Sequence, residues 1–149
     1  MELLKAVQVN EVLTLLKTET KEGRVAIPVS STVSIIRMNN ELEANPDVKS
    51  YLELAEEAKG KYQEEVDVYN KAIQEYINEE GGLADEEDLP KVQTLRKVLD
   101  DKEIELFSFQ KDFTDVEVEF TVHKLGDKSL DCLTLQPDFV EFLMEIEMI

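Results

Sequence analysis

The hydrophobic pattern of residues 48–113 alternates between steps of three and four positions, as two helices that pack along a shared seam require. The Gly81-Gly82 pair divides this pattern into two arms. The apolar positions of the first arm are Val48, Leu52, Ala55, Tyr62, Val66, Tyr69, Ile73 and Tyr76. Those of the second arm are Val92, Leu95, Leu99, Leu106, Phe109 and Phe113. Two arms with the same period predict a long antiparallel helical hairpin.

The beginning of the chain allows two interpretations. Residues 3–9 can form a short strand, after which Asn10 can cap a helix. A single helix over residues 2–17 fits the same apolar positions. The sequence leaves this choice open.

A second helix is predicted to begin at Pro28, because proline suits the first turn of a helix. The sequence Asn45-Pro46-Asp47 should end it, since the residue before a proline avoids helical angles. Asp47 is then predicted to cap the long first arm of the hairpin.

Beyond the hairpin the hydrophobic period changes to two, which is typical of a strand with one buried face. Gly126 follows in a turn-forming sequence, and residues 130–135 can return as a second strand. A last helix is predicted to begin at Pro137. The alternating apolar positions are Val116, Val118, Phe120 and Val122.

These elements predict an α+β fold that is predominantly α. A coiled-coil-like helical hairpin (48–113) would stand on a small antiparallel β-sheet, followed by a short C-terminal helix (137–148). The sheet would be a β-hairpin (115–135), joined by residues 3–9 if these form a strand. The length of 149 residues and the even composition predict one domain over residues 1–149.

Charge narrows the range of functions. The chain has 34 acidic and 16 basic residues, a formal charge of −18. Small domains need a net charge of only about 2 to 8 for solubility. The sequence has no cluster of Lys and Arg that could neutralise phosphates, so we expect neither a direct nucleic-acid ligand nor an anionic membrane surface. No apolar run approaches the roughly 20 residues of a membrane-spanning helix.

The first residues, Met1-Glu2-Leu3-Leu4, lack the features of a secretory signal. Cys132 is the single cysteine, so no internal disulfide can form, which fits a reducing compartment. The expected location is the cytoplasm.

No residue pattern indicates catalysis. His123 is the only histidine and shares a predicted strand face with Glu117 and Glu119, but a solvated polar face explains these residues more simply than a metal site. Cys132 has no CxxC partner and fits a small buried side chain better than a nucleophile. The acidic residues Asp85-Glu86-Glu87-Asp88, which follow the glycine pair, lack the ligand spacing of an EF-hand loop. We therefore predict a protein that is not an enzyme, with no catalytic residue, cofactor or metal.

The order of elements resembles that of small bacteriophage proteins, encoded by tailed phages, whose function is unknown. The segments that carry the resemblance are Ile27-Pro28, Val116-Glu117-Val118-Glu119-Phe120 and Leu135-Gln136-Pro137-Asp138-Phe139. The resemblance implies a phage context, either in the cytoplasm of the infected host cell or in the virion. It supplies no catalytic or binding residue.

The leading hypothesis is a non-enzymatic interaction protein whose acidic hairpin binds a basic surface of a protein partner. That partner would be a host nucleic-acid-handling or defence protein, inhibited by occupation of its charged groove. The alternative is a structural or assembly component of the phage particle that packs through its seams as a homo-oligomer. The residues expected to bind the partner are Glu53, Glu56, Glu57, Glu64, Glu65, Asp67, Asp100, Asp101, Glu103 and Glu105.

Overall fold

A computed structural model of the protein describes residues 1–21, 27–126, 130 and 135–149. These residues form five α-helices and no β-strand, so the predicted α+β class with a small sheet is wrong. The helices are α1 (Leu3–Lys21), α2 (Val29–Ala44), α3 (Pro46–Ile73), α4 (Leu89–Leu106) and α5 (Pro137–Glu145). Short 3-10 helices span Gln74–Tyr76, Glu86–Asp88 and Ser108–Phe113.

The chain divides into two compact units. The first unit comprises Met1–Ser50 and Phe113–Ile149, and the second comprises Tyr51–Asp112.

The core of the first unit contains side chains of α1, α2 and α5. Each leucine-sized side chain that becomes fully buried contributes about 1.5–3 kcal/mol to stability. The apolar side chains that are at most 2% exposed there are Leu3, Ala6, Val9, Leu13, Leu16, Ile35, Met38, Leu42, Val48, Leu143 and Met148.

The N-terminal segment is one helix, which settles the choice between strand and helix. Ala6, Asn10 and Leu13 are all buried and follow Leu3 at steps of three and four. This series presents one continuous stripe to the core, which a strand over residues 3–9 would not provide.

The junction between α2 and α3 contains a cap that the sequence assigned to a different residue. The side-chain Oδ1 of Asn45 accepts hydrogen bonds from the backbone N–H groups of Asp47 (3.0 Å) and Val48 (3.2 Å). Asn45 itself has extended backbone angles and so separates the two helices. The N-cap of α3 is therefore Asn45, and Asp47 lies in the first turn, where its charge suits the helix dipole.

The predicted β-hairpin is not formed by the described residues. Val118 exchanges hydrogen bonds with Met1: its N–H donates to the Met1 carbonyl (2.8 Å), and its carbonyl accepts from the Met1 ammonium (3.2 Å). The Leu3 N–H donates to the Val116 carbonyl (2.9 Å), and Glu2 and Glu117 form an isolated antiparallel bridge. Residues 127–129 and 131–134, which include most of the predicted return strand, lie outside the described residues.

The second unit is an antiparallel pair of helices. The rings of Tyr51 and Phe109 lie 5.4 Å apart, and Gln110 Nε2 donates to the Tyr51 hydroxyl at 3.1 Å. At the opposite end of the hairpin, Lys91 Nζ lies 5.7 Å from the Tyr76 ring centre. Residues near the start of the first arm thus contact residues near the end of the second arm. Residues near the end of the first arm contact residues near the start of the second, as in an antiparallel pair.

The turn of the hairpin is organised by Asn78. Its Oδ1 accepts hydrogen bonds from the N–H groups of Glu80 and Gly82, each at 3.0 Å. Its own N–H donates to the Gly82 carbonyl at 2.8 Å. Gly81 has a φ of 84°, a left-handed conformation that glycine adopts without a Cβ penalty.

Candidate functional site

Five carboxylates follow one stripe along α3. At 100° per residue, they fall within an arc of about 100° on the face opposite Tyr51, Ala58 and Tyr62. The rise of 1.5 Å per residue gives the stripe a length of about 21 Å. All five side chains are exposed. The acidic stripe consists of Glu53, Glu56, Glu57, Glu64 and Asp67.

Few of these charges are neutralised locally. Glu57 Oε1 accepts a hydrogen bond from Lys61 Nζ at 2.9 Å. This hydrogen bond and the charge of Lys61 lower the pKa of Glu57 below 4.5. The same hydrogen bond and the negative charges of Glu57 and Glu64 raise the pKa of Lys61 above 10.5. Asp67 accepts from Gln63 Nε2 at 3.1 Å, which leaves its charge in place. Glu53, Glu56 and Glu64 have no ion pair within the described part of the chain.

Glu65 lies apart from the stripe. It is half-buried and lines a crevice on one side of the hairpin, about 60 Å³ in volume. Its position in the helix places it next to the seam.

The four carboxylates of α4 do not form a second stripe. Asp100 pairs with Arg96 at 3.3 Å, and Glu105 pairs with Lys102 at 3.8 Å. Asp101 and Glu103 are exposed but point about 160° apart on the helix. Of the ten residues named from the sequence, helical geometry therefore aligns five on one face.

The second unit contains 18 acidic and 8 basic residues, a formal charge of −10 out of −18 for the chain. Several of its cations are paired with the carboxylates of α4 or lie at the turn. Of the two α-helices in this unit, α3 therefore has the acidic face with fewer ion pairs.

The crevice beside Glu65 contains exposed apolar residues that the heptad pattern did not identify. Val68 is 63% exposed and Val98 is 52% exposed, and both line the crevice with Tyr69 and Leu95. They lie just outside the heptad seam, so a search restricted to the seam positions misses them. A helical projection of each arm would have found them.

The first unit contains an open groove of about 850 Å³. At one wall, the Met1 ammonium forms an ion pair with Glu117 at 3.2 Å. The N–H of His123 donates to the sulfur of Met38 at 3.2 Å, while its side chain is exposed. The groove is lined by Met1, Glu41, Glu117, Val118, Glu119, Phe120, Thr121 and His123.

Within the described ranges, no group of three or more His, Cys, Asp or Glu residues is arranged to hold a metal ion. Cys132 lies outside those ranges. None of the described helices combines the length and hydrophobicity needed to cross a membrane.

The fold and these surfaces define a helical protein with an acidic hairpin unit. Comparisons with protein-family models, with curated proteins and with solved structures found no match.

Proposed function

We propose that this chain is a phage interaction protein without enzymatic activity, and that it binds a basic surface of a partner protein through the acidic stripe of α3. The partner would be a host nucleic-acid-handling or defence protein, met in the cytoplasm of the infected cell. The acidic stripe would occupy the groove in which that partner holds phosphates.

The single observation that supports this proposal most is the alignment of five exposed carboxylates on the side of α3 that faces away from the seam. Five charges over about 21 Å give one charge per 4–5 Å. A single nucleic-acid strand carries one charge per about 3.4 Å, and a duplex carries one per about 1.7 Å. The stripe therefore resembles one strand more closely than a duplex.

Two double substitutions with the same change in charge distinguish an effect of the stripe from an effect of the net charge of the protein. Glu53→Lys with Glu64→Lys reverses two stripe positions, whereas Glu79→Lys with Glu80→Lys makes the same change in charge at the hairpin turn. Proteins from host lysate that bind the wild type would be purified, and their affinity for each variant and their displacement from duplex DNA measured.

We expect the stripe variant to lose affinity by about tenfold or more and the turn variant to change much less, because electrostatic complementarity depends on position. Equal losses in the two variants would contradict a role for the stripe. A partner that binds DNA equally well in the presence of the protein would contradict inhibition.

The alternative function is a structural or assembly role in the phage particle through oligomeric packing of the hairpin. The thin core of the second unit favours this function. The structure describes every residue of this unit, and its only buried apolar residues are Tyr51, Ala58 and Leu99. Packing a second hairpin against the Val68 and Val98 side would bury more apolar surface. Retention of phage structural subunits at high salt would support this function over electrostatic inhibition.

A further inference from the structure

Residues 118–126 run without a helix, turn or bend and are held at both ends. Val118 is hydrogen-bonded to Met1, and the Leu125 N–H donates to the Met148 carbonyl at 2.7 Å. Between these anchors, residues 119–122 make no backbone hydrogen bond with any residue that the structure describes. The segment therefore offers a short row of open backbone donors and acceptors, as the edge of a sheet does.

The side chains of this segment already have the arrangement of a strand. Val118 is 3% exposed, and Phe120 and Val122 are half-buried. Glu119 and Thr121 between them are exposed. One face is thus turned towards the unit and the other towards solvent, which is the alternation of a paired strand, although no described residue pairs with it.

The groove of the first unit lies beside this segment. Phe120 and Thr121 form part of its lining, and Glu41 of α2 also borders it. The groove is open to solvent, and its volume of about 850 Å³ is within the range of known ligand-binding clefts. A chain that paired with residues 119–122 could place its side chains in this groove.

The charges of the groove select the occupant. Glu41 and Glu119 are exposed and have no ion pair within the described residues, while Glu117 is neutralised by the Met1 ammonium. A second copy paired through this segment would bring like charges close together across the strands, which is destabilising. A segment bearing Lys or Arg would instead meet two unpaired carboxylates.

We propose that residues 119–122 form a docking edge that takes an extended basic segment of a partner protein by strand addition. Backbone hydrogen bonds would supply much of the affinity, and Glu41 and Glu119 would select cationic side chains. This surface goes beyond the acidic stripe, because it belongs to the first unit and recognises an extended chain rather than a folded basic surface.

The test uses a synthetic peptide of about eight alternating Lys and Val residues with blocked ends, titrated calorimetrically into the full-length protein. A second peptide carries the same side chains but is N-methylated throughout, so that it donates no backbone hydrogen bond. The protein variants are Glu41→Lys with Glu119→Lys and, as a charge-matched control at the hairpin turn, Glu79→Lys with Glu80→Lys. Both variants have a formal charge of −14 in place of −18.

We expect the unmodified peptide to bind, the N-methylated peptide to bind at least about tenfold more weakly, and the groove variant to lose at least about tenfold in affinity. The turn variant should stay within about threefold of the wild type. Amide hydrogen exchange of alternate residues within 119–122 should slow in the complex, because an added strand bonds the N–H groups that point to its edge. Circular dichroism would establish that both variants keep their helix content.

The absence of peptide binding would overturn the proposal. Equal affinity for the two peptides, or equal losses in the two variants, would also overturn it, since either result would mean attraction by net charge alone. A dimer of the free protein that dissociates on Glu119→Lys substitution would assign this edge to a second copy instead.

Discussion

The buried side chain of Asn39 on α2 donates a hydrogen bond from Nδ2 to Oδ1 of Asn10 on α1, at 2.7 Å. Asn39 is 1% exposed and Asn10 is 5% exposed. Lys17 Nζ donates to Asn39 Oδ1 at 3.3 Å, and Thr14 Oγ1 and Glu43 Oε1 lie within 3.4 Å of Asn39 Nδ2. Every alternative register of α1 against α2 would separate these groups, so the network selects one register.

Substitution of Asn39 should reveal this role. We expect Asn39→Leu to lower the free energy of unfolding by about 1–3 kcal/mol, because the Asn10 amide is left buried without its partner. Urea denaturation followed by circular dichroism would measure the loss. In Asn10→Leu with Asn39→Leu both polar groups are removed, so the loss should be smaller than the sum of the two single losses. Strictly additive losses would show that the two side chains act independently.

The cap at the start of α3 gives a second prediction. Asn45→Ala removes the acceptor for the N–H groups of Asp47 and Val48 and should destabilise the protein by about 0.5–2 kcal/mol. Asp47→Asn is the matched control, because it removes only a charge near the helix dipole and should cost less than about 1 kcal/mol. Thermal and urea unfolding would rank the two variants. A larger loss for Asp47→Asn would restore Asp47 as the principal cap.

Two glycines in the hairpin should respond to alanine in opposite directions. Gly81 has a φ of 84°, so Gly81→Ala should cost about 1–2 kcal/mol through backbone strain. Gly60 lies within α3, and a Cβ there would meet nothing within 4 Å. Gly60→Ala should therefore stabilise the protein by about 0.5–1 kcal/mol. Both effects would be measured by urea unfolding, and stabilisation by Gly81→Ala would contradict the left-handed turn.

The ion pair between Glu57 and Lys61 predicts a pH dependence. The lowered pKa of Glu57 means that the folded protein binds this proton more weakly than the unfolded chain. The contribution to stability is therefore present above 4.5 and is lost as the pH falls through the lowered pKa. For Lys61 the pKa is raised, so its contribution is present below 10.5 and is lost at higher pH.

An NMR titration of the Glu57 carboxyl would test this dependence. Its midpoint should lie below 4.5 in the wild type and move up in Lys61→Met, which removes the hydrogen-bond donor. An unchanged midpoint in that variant would show that the contact between the two side chains is absent in solution. Because both side chains are fully exposed, added salt should reduce the difference.

Local periodicity is sufficient to predict the helices of the hairpin. Both arms of the hairpin contain helices at the positions that the steps of three and four indicate, and Gly81 ends up in the turn. The error at residues 116–122 has a different origin. Their period of two describes a half-buried extended segment, and the structure contains one, but a β-sheet also needs a pairing partner distant in sequence. The pairing found involves Met1 and Leu3, which no pattern in either segment specifies.

The candidate binding residues also divide into features that helical geometry predicts and features that depend on contacts between distant segments. The alignment of Glu53, Glu57 and Glu64 on one side of α3 follows from helical geometry alone. The ion pairs of Asp100 and Glu105 with neighbouring cations also follow from spacings of three and four, and a helical projection would have removed them from the set. The groove beside Glu119 could not be derived in this way, because it requires contacts between segments far apart in the chain.

The exposed valines of the hairpin predict how the protein associates with itself. If Val68 and Val98 are covered in an oligomer, Val68→Lys with Val98→Lys should convert that oligomer to monomer, because burial of two ammonium groups is strongly unfavourable. Ile104→Lys, at a residue that is 70% exposed and does not line the crevice, is the matched control and should leave the oligomer intact. Sedimentation equilibrium at micromolar concentration would measure all three proteins. A monomeric wild type would contradict the oligomer. Dissociation by Ile104→Lys alone would show that the interface lies on the side of α4 that contains Ile104.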